Sequence, residues 1–234
     1  MAGIPPEPRL EILPDADAVG RRAAEIFAHQ IGIATSQRGR ALVALSRPTP
    51  WEAFRWVDAI RFGHAEFDVF QVDERRAPLG GDDRNLTLIE RHLPSWAARG
   101  TIHQMPVHVR PLSRGARRYA RDIESICGRP PVLDVVHLGL GPDGHTASLL
   151  PGDPALDVTD AWVASTRKHG GFWRLTMTYP VLALARLVVF VVTGEQKAEA
   201  LARVVQRDPA LPASHVAADA QLFLVDRAAA ARLP

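Results

Sequence analysis

The chain has 234 residues, which is enough for one large α/β domain with a well-buried core and only marginally enough for two. Hydrophobic residues make up 47% and charged residues 23%, an ordinary globular composition that argues against disorder. The formal net charge of +2 is not concentrated in any run, and the longest apolar runs are only strand-sized. Neither nucleic acid nor a membrane is therefore an expected partner. We expect a single domain over residues 1–234, as a monomer or a weak homodimer.

Short apolar runs alternate with segments of helical periodicity along the chain. The predicted strands are Ala41–Ser46, Phe67–Val72, Val132–Leu140, Trp162–Ser165, Leu187–Thr193 and Gln221–Val225. The predicted helices are Asp17–Thr35, Trp51–Phe62, Arg84–Leu93, Arg114–Cys127 and Glu195–Gln206. Because most of the strands lack strict apolar–polar alternation, both of their faces are expected to be covered. The pattern predicts an α/β fold with a doubly wound, mostly parallel, Rossmann-like sheet flanked by helices.

The beginning of the chain and its single cysteine favour a cytoplasmic location. Residues Met1–Pro14 contain prolines and acids where a signal peptide has a basic start and an apolar stretch. Cys127 permits no intrachain disulfide, and we expect it to pack in or near a helix.

Polar and charged residues follow the predicted strands at four points, the place where open α/β sheets bind ligands. The four segments are Ser46–Pro50, Asp73–Arg76, Gly139–Thr146 and Thr193–Lys197. In the first and last of them, a threonine stands three residues before a glutamate or glutamine. This capping pattern predicts a helix start, and the free N–H groups of a helix start favour anions. A phosphorylated small molecule is the predicted ligand.

The glycine-rich turn that follows the third strand contains the candidate catalytic residue. Gly139–Gly144 has the spacing G-x-G-x-x-G, but two nearby prolines would end any helix after it, so a nicotinamide cofactor is not predicted. His145 has flexible, polar neighbours, whereas His137 lies in an apolar strand and is expected to pack in the core. A neutral imidazole near pH 7 can take a proton from water, which makes His145 the candidate general base. Asp143 either orients that ring or closes the turn through its own backbone.

Two other classes of hydrolase are not supported by the sequence. No pair of histidines at helical spacing with a nearby carboxylate and no cysteine pair indicates a zinc site. No G-x-S-x-G segment indicates a serine nucleophile. We therefore expect neither a metal nor a cofactor.

Several motifs resemble those of the 6-phosphogluconolactonases, which are relatives of the glucosamine-6-phosphate deaminases. The most specific is Leu138–Leu149, with the sequence LGLGPDGHTASL, and the second is Asp73-Glu74-Arg75 followed by Pro78 and Asn85. The resemblance implies a cofactor-free lactonase. Its substrate would be a phosphorylated sugar lactone, 6-phospho-D-glucono-1,5-lactone, which it would open to 6-phospho-D-gluconate in the oxidative pentose phosphate pathway.

The resemblance also implies the residues of the site. His145 and Asp143 would be catalytic, with His145 activating water and N–H groups of the glycine turn stabilising the oxyanion. Asp73 would position Arg75 or substrate hydroxyls. Substrate contacts would come from Ser46, Arg47, Thr49, Asp73, Arg75, Asn85, Gly141, Gly144, Arg174 and Lys197.

Two segments distinguish this chain from its relatives. The deaminases continue the glycine–histidine turn with Ala-Phe-Asn-Glu-Pro-Gly, whereas Ala147–Gly152 lacks the glutamate, which favours a lactonase. The first phosphate loop of the family usually reads Ser-Gly-Gly-Ser-Thr-Pro, and here it is one residue shorter. Pro48 removes a backbone donor from that loop, and Arg47 offers a charged, forked one. Three alternatives stay open: an amino-sugar-phosphate deaminase or isomerase, a non-catalytic sugar-phosphate-binding protein, and a lactonase for a different lactone.

Overall fold

A seven-stranded parallel sheet forms the centre of the protein in a computed structural model that describes residues 8–47, 51–60 and 66–233. The strands of the described residues are β1 (Arg9–Leu13), β2 (Arg40–Leu45), β3 (Glu66–Gln71), β4 (Asp73–Arg75), β5 (Thr101–His103), β6 (Val135–Leu138), β7 (Val163–Ser165), β8 (Arg174–Met177), β9 (Val188–Val192) and β10 (Gln221–Asp226). The large sheet has the order β1-β10-β9-β6-β2-β3-β5, and all its neighbouring strands are parallel.

Helices cover both faces of this sheet. They are α1 (Ala16–Arg38), α2 (Trp51–Asp58), α3 (Asn85–His92), α4 (Pro94–Arg99), α5 (Leu112–Cys127), α6 (Tyr179–Ala183) and α7 (Ala198–Val205). One buried apolar cluster packs α1 to α4 against the sheet, and a second packs α5 to α7 against its other face. The predicted doubly wound α/β architecture is therefore confirmed. Within the described ranges, no helix is both long enough and apolar enough to cross a bilayer.

Local sequence explains why the strands and helices form where they do. All five residues of β9 are buried, so its apolar run needs no polar face. The helix α1 begins after Asp15, whose side chain accepts the N–H of Ala18 at 2.8 Å. It ends at Gly39, whose φ of 78° lies in the left-handed region that glycine favours.

A small antiparallel sheet with the order β4-β8-β7 lies beside the large one. After β3 ends at Gln71, a single residue leads into β4, so the chain passes directly from one sheet to the other. In the register of β4 and β8, Asp73 lies opposite Thr176, and Arg75 lies opposite Arg174. The smaller sheet thus places side chains from two distant segments above the carboxyl edge of the larger one.

The predicted helix Glu195–Gln206 differs from the observed structure at its start. Residues Glu195–Lys197 form a single 3-10 turn, and α7 begins only at Ala198. Neither segment has a side-chain cap, so the predicted capping role of Thr193 is wrong. Instead, the N–H of Gly194 donates to both carboxylate oxygens of Asp226, at 3.0 and 3.1 Å. The corresponding prediction for Thr49 falls outside the described residues, as do the last two residues of the helix predicted over 51–62.

Candidate active site

A polar cleft lies at the carboxyl edge of the large sheet. The strands β6, β2 and β3 are neighbours there, so the segments that follow them converge. Of the residues predicted to form the site, those that line this cleft are Ser46, Arg47, Asp73, Arg75, Asn85, Gly141, His145, Arg174 and Lys197. Asp143 and Gly144 lie in the turn beside His145, and Thr49 is outside the described residues. Parallel-strand topology has thus brought together segments that span about 150 residues of the chain.

His145 and Asp143 form a hydrogen-bonded pair at this edge. The Nδ1 atom of His145 lies 2.5 Å from Oδ1 of Asp143, which also accepts the backbone N–H of His145 at 3.2 Å. Asp143 therefore orients the ring and closes the turn at once. Burial alone would raise the pKa of Asp143, but the hydrogen bond and charge of His145 outweigh it and lower that pKa. An ionised Asp143 keeps the proton on Nδ1 and leaves Nε2 of His145 as the basic nitrogen.

The turn that carries this pair needs glycine at position 141. A Cβ atom on Gly141 would lie 2.1 Å from Nδ1 of His145 and 2.5 Å from Oδ1 of Asp143. The N–H of Gly141 donates to the carbonyl of His145 at 2.7 Å, and the N–H of Gly144 donates to the carbonyl of Gly141 at 3.0 Å. Both N–H groups are used inside the turn, so an oxyanion contact from this turn, which stays a prediction, would come from another N–H group such as that of Leu140, which lines the cleft.

Asp73 is a buried carboxylate held by three neutral donors. The hydroxyl of Ser148 donates to its Oδ2 at 2.6 Å, while Asn85 Nδ2 and the hydroxyl of Ser46 donate to Oδ1 at 3.1 and 3.3 Å. These contacts, rather than one to Arg75, fix its position. Sequence reasoning did not single out Ser148, whose only signal was its place in the segment after His145. Its buried side chain reaches Asp73 across 75 residues of sequence.

Glu74 joins β4 to the start of α3. Its fully buried carboxylate accepts the backbone N–H groups of Arg75, Asn85 and Leu86 at 2.7, 2.8 and 2.9 Å, and it forms an ion pair with Arg84 at 3.1 Å. Sequence reasoning gave Glu74 no role beyond its place in the motif. The observed contacts fix the backbone on either side of Arg75, and they hold Asn85 in the cleft wall.

Four cations line the cleft with little counter-charge. Arg75 lies 3.6 Å from the exposed Asp83, while Arg47, Arg174 and Lys197 form no ion pair with any described carboxylate. Burial lowers the pKa of Arg47, Arg174 and Lys197, and the charge of Arg75 lowers the pKa of Arg47 and Arg174 further. The lowered pKa values show that these positive charges lack compensation, so a negative charge added to the cleft would be stabilised. In the described chain, no group of three His, Cys, Asp or Glu side chains is placed to hold a metal ion.

Comparison with known proteins agrees with this arrangement. Residues 14–224 match the family model described as glucosamine-6-phosphate isomerases/6-phosphogluconolactonase. The chain belongs to this family. The 6-phosphogluconolactonase of Nostoc sp. is 33% identical over 96% of this chain and 98% of its own length. That of Mycobacterium tuberculosis is 32% identical over 96% of this chain and 98% of its own length. The resemblance predicted from the sequence is confirmed.

Solved structures share the fold at lower sequence identity. The 6-phosphogluconolactonase of Trypanosoma brucei has a TM-score of 0.85 at 22% identity, over 97% of this chain and 99% of its own. A monomeric glucosamine-6-phosphate deaminase has a TM-score of 0.76 at 19% identity, over 96% of this chain and 99% of its own. Because one fold carries both activities, the side chains of the cleft must distinguish them.

Proposed function

We propose that the protein hydrolyses 6-phospho-D-glucono-1,5-lactone to 6-phospho-D-gluconate, with His145 as the general base. The observation that carries this proposal is one cleft that holds both a His145–Asp143 pair and three cations that have no counter-ion among the described residues. Relatives that are over 30% identical along almost the whole chain are named as lactonases, and they support an enzyme of that class. The oxidative pentose phosphate pathway is the proposed setting.

In the proposed mechanism, Nε2 of His145 removes a proton from a water molecule whose oxygen attacks the lactone carbonyl. The carbon–oxygen bond of the ring then breaks, and the imidazolium returns its proton to the departing ring oxygen. Asp143 stabilises the imidazolium in between through the 2.5 Å contact to Nδ1. Replacing the base is expected to lower the rate roughly 10²–10⁴-fold.

The cations of the cleft are proposed to hold the substrate's phosphate. Arg47, Arg174 and Lys197 supply charge, and Arg75 lies opposite Arg174 in the β4–β8 register. Arg47 stands in the first phosphate loop, where relatives have glycine, so its guanidinium takes the place of backbone donors in this proposal. Since the N–H groups of Gly141 and Gly144 are used within the turn, the proposed oxyanion donor is another N–H group of the same turn, such as that of Leu140, which lines the cleft.

The cleft gives less support to a deaminase or isomerase. Among the described lining residues, Asp73 is the only acid, and both of its oxygens accept hydrogen bonds. The segment Ala147–Leu150, where the deaminases carry their glutamate, is buried and contains no carboxylate. A cytoplasmic location, a monomer or weak homodimer, and one domain over residues 1–234 complete the proposal.

The deciding experiment generates the lactone in place from glucose 6-phosphate and follows the 6-phosphogluconate formed above spontaneous hydrolysis. We expect the protein to accelerate the reaction, the His145→Ala variant to lose the acceleration, and a variant of the exposed His29, His29→Ala, to keep it. Full activity in His145→Ala would reject the general base. A folded wild-type protein that turns over glucosamine 6-phosphate instead would favour the deaminase. Binding of the phosphosugar without turnover would favour a sugar-phosphate-binding protein.

A further inference from the structure

Ser148 lies between a buried carboxylate, that of Asp73, and a buried cation, Arg174. Its hydroxyl donates to Oδ2 of Asp73 at 2.6 Å and accepts from Nη1 of Arg174 at 3.4 Å. Its backbone N–H donates to the hydroxyl of Thr176 at 3.2 Å, which fixes Ser148 against β8. Asp73, Ser148 and Arg174 are 5%, 0% and 7% exposed, so little water screens the two charges.

Arg174 is a buried cation that lacks a direct counter-ion among the described residues. Burial lowers the pKa of Arg174, and the nearby charge of Asp73 only partly opposes that shift; the two form no ion pair, and Nε of Arg174 has no hydrogen-bond acceptor. Arg174 also lies opposite Arg75 across the β4–β8 pair, where like charges destabilise each other. Its guanidinium is therefore held in the cleft wall with unused donors.

We infer that Ser148 is a positioning residue that keeps Asp73 from pairing with Arg174 and so leaves the guanidinium available to the phosphate of the substrate. The identity of that substrate rests on the proposed function. By satisfying Oδ2 of Asp73 with a neutral donor, the hydroxyl removes the acceptor that Arg174 would otherwise approach. A carboxylate–guanidinium pair is favourable in both charge and geometry. Without the hydroxyl of Ser148, an ion pair between Asp73 and Arg174 would therefore compete with phosphate for the guanidinium.

Replacing Ser148 with alanine removes the spacer and exposes Oδ2 of Asp73 to Arg174. We expect the dissociation constant for inorganic phosphate, measured by titration calorimetry, to rise about 10- to 100-fold, the scale of a hydrogen bond to a charged group. The KM for the lactone is expected to rise in parallel, with kcat changed much less, because the His145–Asp143 pair is untouched. Ser125→Ala is the matched control, since that exposed hydroxyl bonds only the carbonyl of Asp122 on its own helix.

A double-mutant cycle separates positioning from mere packing. In an Asp73→Asn background there is no charge to capture Arg174, so adding Ser148→Ala is expected to change phosphate binding little. An equal loss in both backgrounds, or unchanged binding in Ser148→Ala, would overturn the inference. If the alanine variant does not fold, Ser148→Cys is used instead, because it fills the same space with a weaker donor. Phosphate binding as tight as in the wild-type protein would then also overturn the inference.

Phosphate binding is measured independently of turnover. The proposed lactonase function and the positioning role of Ser148 can therefore be rejected separately. A wild-type protein that binds phosphate but does not hydrolyse the lactone rejects the proposed function, while the cycle still decides the role of Ser148. A wild-type protein that binds no phosphate overturns the positioning role itself.

Discussion

Replacing Gly141 with alanine is expected to remove most of the activity while the protein stays folded. The added Cβ would lie 2.1 Å from Nδ1 of His145 and 2.5 Å from Oδ1 of Asp143, and real Cβ contacts essentially never fall below 3.0 Å. Either the ring or the carboxylate must move. The backbone at Gly141 does not have a positive φ, so alanine brings no conformational strain there. The effect is thus confined to the geometry of the pair.

The size of the effect follows from that displacement. Restoring 3.0 Å from 2.1 Å shifts the imidazole by about 1 Å, and a misplacement of about 1 Å at a catalytic group can cost about 10²-fold in rate. The hydrogen bond of 2.5 Å between His145 and Asp143 is also lost at that distance. We therefore expect kcat for the lactone to fall about 10²-fold, with KM changed little.

The assay compares two glycines of one turn. A Cβ on Gly139 would meet nothing within 4 Å, so Gly139→Ala adds the same methyl group without a clash. Lactone hydrolysis is measured for both variants above the spontaneous rate, and circular dichroism establishes that each is folded. A Gly141→Ala enzyme as active as Gly139→Ala would refute the catalytic role of the His145–Asp143 pair as the structure places it.

Three further outcomes test the charges around the site. Burial lowers the pKa of His137 from 6.5 to about 3. The unfolded chain therefore takes up a proton that the folded protein excludes, and each pH unit below about 6.5 lowers the free energy of unfolding by up to about 1.4 kcal/mol. Urea denaturation between pH 4 and 7 should show a shallower acid slope for His137→Leu, and equal slopes would contradict the burial argument. Replacing Glu74 with glutamine leaves the buried Arg84 without its ion pair, so the free energy of unfolding is expected to fall by roughly 3–5 kcal/mol, and a loss below about 1 kcal/mol would contradict this. Burial also lowers the pKa of Lys197, so phosphate binding is expected to weaken at a lower alkaline pH than it would with a free lysine. Lys197→Arg is expected to move this loss of binding to higher pH, because arginine stays charged. Identical calorimetric pH profiles for the two proteins would show that Lys197 does not contact the phosphate.

The central strands could be predicted because strands buried on both faces appear in the sequence as runs of mostly apolar residues. All of β9 and β6 is buried, and both appear as apolar runs. The strands that were not predicted lack a long apolar run. The segments β4 and β5 have three residues each, β8 begins with an arginine, and the edge strand β1 is largely exposed. Their pairing depends on neighbours that are distant in sequence, which no local pattern reveals.

The residues of the candidate site likewise divide into those that the sequence could indicate and those that it could not. His145, Asp143 and Lys197 were predictable because ligand-binding residues follow the strand ends of an open parallel sheet. Ser148 and Glu74 were not, because their roles arise from contacts with Asp73, 75 residues away, and with the start of α3. The sequence also could not show which N–H groups of the glycine turn are available to a ligand, because a turn this tight uses those of Gly141 and Gly144 to hold itself together.

The register that sets Arg75 opposite Arg174 has a thermodynamic consequence for the protein without ligand. Two like charges side by side destabilise the small sheet, so part of the free energy of binding the proposed phosphate is expected to come from repulsion relieved within the protein. The product of the proposed reaction keeps the phosphate, so it is expected to relieve the same repulsion as the substrate. Bound phosphate, from substrate or from product, is therefore expected to protect the enzyme against heat, and product that accumulates is expected to slow turnover.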